Sequence, residues 1–272
     1  MAQPVVWGAV QLSSQGEIEE NLDRVAALVD EAAQRGARTV LLPENFAYMG
    51  DEDGKRGFAE DLDAANGPIA RRIAEIARSA GVTIVAGGFP ERSDDPARPY
   101  NTCAVFGADG ALRSRYRKIH LFDVETTDGM RYCESASTMA GSEAQIVEID
   151  GLRVGLSICY DLRFPELYRR LSAEGCEVIV VPAAFTLLTG KDHWLVLLRA
   201  RAIEAQAYVV AAAQWGTHPH RRATFGKSCI IDPWGEVIAQ ASEGEGVVTA
   251  PLDLAYLSRV RARVPALEHR RL

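Results

Sequence analysis

The apolar-rich stretch from Val5 to Gln11 reads as a strand, and between Leu152 and Ile158 the residues Val154, Leu156 and Ile158 alternate with small or polar ones in the period-two pattern of another. From Glu17 to Gln34 the spacing lengthens to about 3.6 residues, with Leu22, Val25, Leu28 and Val29 on one face, which predicts an amphipathic helix. Ala37 to Leu42 returns to a strand and ends at Pro43-Glu44-Asn45. Ile69 to Ala80 is a second helix, stopped by Gly81, and Val82 to Gly87 a third strand. Strand and helix taking turns in this way predict a layered α/β fold.

From Asn101 onward hairpin signals join the pattern: Asp109-Gly110, Asp150-Gly151 and Asp232-Pro233-Trp234-Gly235 each lie between apolar strands. Between them come a strand from Leu152 to Ile158, a helix from about Phe164, a strand from Glu177 to Val181, a helix from about Asp192 to Gln206, and a strand from Tyr208 to Ala213. The sheets are therefore mixed. No linker, low-complexity tract or fixed-period repeat interrupts the 272 residues, which predicts one domain over 1–272 with two mixed sheets face to face and helices outside.

Three predicted strand ends carry an ionisable side chain where turn residues would suffice: Glu44 in "LLPENF", Lys118 in "RYRKIHLF" and Cys159 in "SICYDLRF". Loops beyond strand ends are where catalytic groups collect in α/β folds. Pro165 and Glu166 suit the first turn of a helix, so Cys159 is expected just before a helix N-terminus, whose positive end would favour a thiolate. A base, a cation and a thiol are the parts of acyl transfer through a thioester. The bland readings are a packed small hydrophobe for the cysteine and solvated surface charges for the other two, and spacing alone does not bring the three together.

Composition narrows the class. With 47% hydrophobic and 25% charged residues the chain is that of an ordinary globular protein, and a net charge of -7 argues against nucleic-acid binding. Five cysteines at 103, 133, 159, 176 and 229 form no CxxC pair, so neither a disulfide framework nor a zinc knuckle is expected, and a reducing cytoplasm is. No basic segment followed by a long apolar run opens the chain, and no apolar stretch is long enough to span a bilayer. His218-Pro219-His220 lacks a third ligand at fitting spacing, and no phosphate-binding Gly-rich loop is present, so no metal or cofactor is expected.

The stretches "LLPENF", "RKIHLFD", "ICYDLRFPEL", "TGKDHWLVLLRARAIEAQAYVVAAAQ" and "DPWGEV", in that order, resemble the nitrilase superfamily of carbon–nitrogen hydrolases, and within it the Nit-type amidase branch. The likeness extends from about Val5 to Arg271. It implies an αββα sandwich pairing into an αββααββα homodimer, and a catalytic triad carried onto Glu44, Lys118 and Cys159. A second glutamate of the family, which positions the substrate and the lysine, falls on Glu134 in "RYCESAS"; Glu125 is nearer Lys118 in sequence, but "FDVE" matches less well.

Tyr160 and Asp161 after the cysteine, in place of the Trp-Glu of nitrilases proper, resemble the amidases of 2-oxo dicarboxylic acid ω-amides. The segment "AAAQWGTHPHRRATFGKSCIIDPWG" resembles the branch members that act on deaminated glutathione more than those that act on 2-oxoglutaramate, and that resemblance implies the former substrate. Either amide bears carboxylate, for which Arg163 is the expected partner, with a structural salt bridge to Glu166 or Asp161 as its alternative role. Tyr160, Tyr48, Phe185 and Thr186 are further pocket candidates by position. A binding protein that has kept the fold and lost turnover is the other class, against which the presence of Glu44, Lys118, Cys159 and Glu134 together speaks.

Overall fold

The computed structural model describes residues 4–64, 67–125, 129 and 131–271. In chain order its elements are β1 (Val5–Leu12), α1 (Ile18–Gln34), β2 (Thr39–Leu41), α2 (Glu52–Gly57), α3 (Pro68–Ala80), β3 (Thr83–Glu91), β4 (Tyr100–Phe106) and β5 (Leu112–Arg117). A short pair, β6 (Asp123–Glu125) and β7 (Arg131–Cys133), precedes β8 (Gln145–Ile149), β9 (Leu152–Leu156), α4 (Pro165–Ala173), β10 (Val178–Ala183), α5 (Leu187–Ala205) and β11 (Tyr208–Thr217). The chain closes with β12 (Ala223–Phe225), β13 (Cys229–Ile231), β14 (Val237–Gln240), β15 (Gly246–Leu252) and α6 (Leu254–Arg263).

The first sheet half runs β5-β4-β3-β2-β1-β15 and the second β8-β9-β10-β11-β13-β14. Each has three parallel strands at its centre, β3-β2-β1 and β9-β10-β11, with antiparallel neighbours outside. The two halves are not separate sheets. They share hydrogen bonds where Gln11 and Leu12 lie beside Ala213 and Gln214, so the described residues form a single 13-stranded sheet across both halves.

Period-two alternation divides the core between two layers. In the first half Trp7, Ala9, Leu41, Val85, Cys103 and Val105 face the second half and pack into one cluster with Val154, Leu156, Val178 and Val180. Their neighbours Val10, Leu12, Val40, Leu42, Ile84, Ala86 and Ala104 face the other way, onto Leu22, Val25 and Val29 of α1 and Ile69, Ile73 and Ile76 of α3. Leu167 and Leu171 of α4 and Trp194, Leu198 and Ala202 of α5 cover the second half. Helix, sheet, sheet, helix is the layering expected for the nitrilase fold.

The turn signals fall where they should. Asp150 and Gly151 join β8 to β9 with φ of 54° and 76°, the double left-handed geometry of a tight hairpin. The helix expected from Asp192 begins five residues earlier, at Leu187, since Gly190 lies inside its first turns rather than ending a loop. A Cβ at Gly190 would stand 2.3 Å from that of Phe225, so glycine is there to let α5 approach β12. Among the described residues no helix is long and apolar enough to cross a membrane.

Candidate active site

Three functional side chains and one loop reach the cavity from the ends of four strands, and Glu134 joins them from the 3-10 turn after β7. Glu44 follows β2, Lys118 follows β5 directly, Cys159 follows β9, and Ala184 to Thr186 follow β10. The cavity has a volume of about 250 Å³ and is lined by Glu44, Lys118, Glu134 and Cys159, with Asn101, Tyr160, Arg163, Phe185 and Thr186 among its walls.

Lys118 is the hub. Its Nζ lies 3.0 Å from Oε1 of Glu44 and 3.0 and 2.8 Å from the two oxygens of Glu134, with only 2% of the residue exposed. Burial opposes the ammonium charge, but the carboxylates of Glu134 and Glu44 outweigh it and hold the lysine well above its ordinary range. Lys118 therefore stays charged. Burial likewise pushes Glu44 up, yet the Lys118 charge and hydrogen bonds from Cys159, Lys118 and Asn101 carry its carboxyl below the ordinary value.

Glu44 is held at both oxygens and at its backbone. Oε1 accepts from Nδ2 of Asn101 at 2.9 Å as well as from Lys118, Oε2 accepts the N–H of Ala184 at 3.0 Å, and the carbonyl oxygen accepts from Gln214 at 3.0 Å. Glu134 also accepts the N–H of Phe122 at 2.7 Å and a weaker bond from Asn101 at 3.3 Å. Asn101 thus joins the two carboxylates. Its own Oδ1 is buried with no hydrogen-bond partner among the described residues and faces Gly88, where a Cβ would lie 1.9 Å away.

Cys159 is 8% exposed and adopts φ 48°, the left-handed region that a non-glycine residue occupies at a cost of order 1–3 kcal/mol. Its thiol lines the same cavity as the Glu44 carboxylate, whose charge acts on it. Residues Cys159–Arg163 form a 3-10 turn, and α4 begins only after it.

A carbon-nitrogen hydrolase family model matches residues 8–262. The chain belongs to the carbon-nitrogen hydrolase family. A deaminated glutathione amidase of Synechocystis sp. is 45% identical over 98% of both chains. An omega-amidase NIT2 of Xenopus tropicalis is 40% identical over 93% of this chain and 90% of its own. The crystal structure of the C. elegans NitFhit protein superposes with a TM-score of 0.91 at 37% identity, covering all of this chain and 66% of that one.

Of the residues singled out in this carbon-nitrogen hydrolase, Glu44, Lys118, Cys159 and Glu134 converge, and Arg163, Tyr160, Phe185 and Thr186 line the same cavity. Glu125 lies in β6, and it is Glu134 that bonds Lys118. Tyr48 does not line the cavity. Its ring packs on Phe58 at 5.1 Å and its hydroxyl fills the niche that Gly50 and Gly54 leave by having no Cβ, so Met49 takes the wall instead.

The expectation of a helix-stabilised thiolate is also corrected. Burial and the neighbouring Glu44 carboxylate raise the Cys159 thiol well above its ordinary range, against the opposing pull of Lys118, and the intervening turn separates it from the start of α4. The resting thiol is protonated and needs a base. Arg163 makes no ion pair with Glu166 or Asp161 among the described residues; its guanidinium lies 5.1 Å over Phe185, with Nη1 3.2 Å from Nδ1 of His193. His218 is turned inward, between Ser14 O at 2.8 Å and the Thr224 hydroxyl at 2.7 Å, whereas His220 is exposed.

Sequence reasoning missed Asn101 and the cavity residues Lys55, Phe122, Arg131, Tyr132 and Arg222. Asn101 is the second residue of β4, and its carbonyl accepts the Lys118 N–H at 2.8 Å, a register that only the β4–β5 pairing creates. Nothing in "RPYNTCAVF" announces it.

Proposed function

We propose that this chain is a cysteine amidase that cleaves deaminated glutathione to 2-oxoglutarate and Cys-Gly, acting as one catalytic domain over 1–272. The observation that carries the reading is the contact of Lys118 with Glu44 and Glu134 at 2.8–3.0 Å in the cavity that Cys159 also lines. As Sγ of Cys159 bonds to the amide carbon, Glu44 takes the thiol proton. Lys118 and the backbone N–H after Cys159 stabilise the oxyanion. Glu44 then hands the proton to the leaving nitrogen as the C–N bond breaks, and later draws one from the water that opens the thioester. Glu134 keeps Lys118 charged and aimed.

The substrate choice is supported by the Synechocystis relative, a deaminated glutathione amidase at 45% identity. The Xenopus omega-amidase at 40% supports a second reading, hydrolysis of 2-oxoglutaramate. The two amides share the acyl group and differ in what leaves, a dipeptide or ammonia. Purified protein offered both, with a simple nitrile and with Cys159→Ala as control, should release Cys-Gly fastest. Faster ammonia release from 2-oxoglutaramate would make it an ω-amidase, and no turnover of any would overturn the reading.

Arg163 is the carboxylate-binding residue in this scheme. Arg163→Ala is expected to raise KM for either 2-oxo amide by about tenfold to a hundredfold, the worth of a charge-assisted hydrogen-bond pair. Turnover of a neutral amide should change little, and an equal loss on both would remove the assignment. Because Glu44 is held below the carboxylate's ordinary 4.5, kcat/KM should stay level as pH falls from neutrality and drop only below that value. A limb near neutral pH in the measured profile would contradict Glu44 as the base.

We also infer a homodimer through α5. Val196 and Ile203 on its outer face are 66% and 52% exposed, and Trp234, 54% exposed, stands on the β13–β14 hairpin whose Gly235 packs on Ile203. An apolar patch of this kind on a metabolic enzyme suits a second copy. Five thiols, four of them buried and none in a disulfide, suit the cytoplasm.

A further inference from the structure

Asp161, two residues beyond Cys159, is completely buried and takes no part in the chemistry just described. Its Oδ2 accepts the N–H of Ile158 at 2.9 Å and the hydroxyl of Tyr116 at 2.7 Å. Its Oδ1 accepts the N–H of His120 at 3.0 Å and meets ring Nδ1 of the same histidine at 2.7 Å. One of these donors belongs to the nucleophile's own turn. The other three stand two residues before and two residues after Lys118.

Tyr116 lies near the end of β5 and His120 in the segment just past it, so one carboxylate holds both flanks of Lys118 while the lysine itself bonds Glu44 and Glu134. Burial and the Asp161 charge keep the Tyr116 hydroxyl protonated far beyond the ordinary range, so it remains a donor. A second contact ties the far end of the turn to the same segment: the His120 ring is stacked on Phe164, with centroids 3.7 Å apart and planes within 6°. The turn 158–164 is therefore pinned at both ends to 116–120.

Cys159 has left-handed φ, a conformation that persists only where its surroundings over-determine it. We propose that Asp161, together with Tyr116 and His120, is the positioning device that holds the strained Cys159 turn against Lys118 and so sets the thiol on Glu44. Asp161 touches no reacting atom. The inference rests on Cys159 being the nucleophile.

The test compares Tyr116→Phe and Asp161→Asn with Tyr208→Phe, which removes the hydroxyl of another buried tyrosine, bonded to the Asp253 backbone and outside the cavity lining. For each, kcat and KM on the fastest amide, Tm, and the rate of Cys159 alkylation by iodoacetamide, read by mass spectrometry, are measured. The two hub variants should lose about tenfold or more in kcat and slow in alkylation, with KM within about twofold, since a displaced nucleophile costs rate rather than binding. Tyr208→Phe should lose comparable Tm and keep kcat. Wild-type kcat and alkylation in Tyr116→Phe would overturn the proposal, as would a kcat loss that merely follows Tm in all three. Should Asp161→Asn fail to fold, Tyr116→Phe decides alone. Activity in Cys159→Ala would instead overturn the nucleophile assignment, and this inference with it.

Discussion

Cys159→Ala will abolish amide hydrolysis and leave substrate binding nearly intact. The thiol supplies the only bond to the acyl group in the proposed cycle, so without it the reaction has no covalent path, and water would have to attack an amide directly. Losses on removal of a nucleophile of this kind reach about a millionfold in kcat. Binding should survive because the carboxylate partner Arg163 and the walls Phe185 and Thr186 are separate side chains, and the Glu44–Lys118–Glu134 cluster keeps all its mutual bonds. The variant trims one Sγ from a residue that packs with the core cluster and keeps its Cβ, so Tm should fall only modestly. Calorimetric titration of the variant with the uncleaved substrate measures the binding, and mass spectrometry of the wild type, quenched during turnover, should find the acyl group on Cys159 alone. Full activity in the variant would sink the thioester mechanism.

Glu44, Lys118 and Cys159 were legible because each interrupts a strand end with a charge or thiol that no turn needs, and because the surrounding motifs resemble one family in order. The layered α/β class was legible for a similar reason, since period two and period 3.6 alternate cleanly through Val82 to Gly87. What stayed hidden depends on pairings across long stretches of chain. Asn101 reaches Glu44 across 57 residues, and Asp161 reaches Tyr116 across 45. Local sequence has no term for either. The thiolate expectation failed for a physical reason of the same kind: the helix end is a local feature, whereas burial and the Glu44 charge, which decide the thiol's protonation, come from the meeting of two sheet halves. Tyr48 was misread because nearness in sequence to Glu44 was taken for nearness in space, and two glycines draw its ring elsewhere. The start of α5 was missed because Gly190 looks like a break until Phe225 is seen against it.

Glu44→Gln should cost nearly as much activity as loss of the thiol, with a modest loss of stability beside it. The cycle asks Glu44 for three proton movements, from the thiol, to the leaving nitrogen and from water, and an amide can perform none of them. General acid–base catalysis contributes about a hundredfold to ten-thousandfold per step, and the raised thiol gives the step no ionised nucleophile to fall back on. The stability cost follows from the bonding. Oε1 accepts from Lys118 and Asn101 while Oε2 accepts from Ala184, so both oxygens are used as acceptors. Glutamine has one carbonyl oxygen. Whichever way its amide turns, the NH2 group confronts either the Ala184 N–H or the ammonium and Asn101, and an unsatisfied buried donor costs about 1–3 kcal/mol. Lys118 keeps both bonds to Glu134, which is why the fold should survive. Steady-state kcat together with thermal unfolding tests both parts: a kcat loss under about tenfold would transfer the base to another residue, and an unchanged Tm would mean that the amide finds a geometry the carboxylate's partners do not suggest.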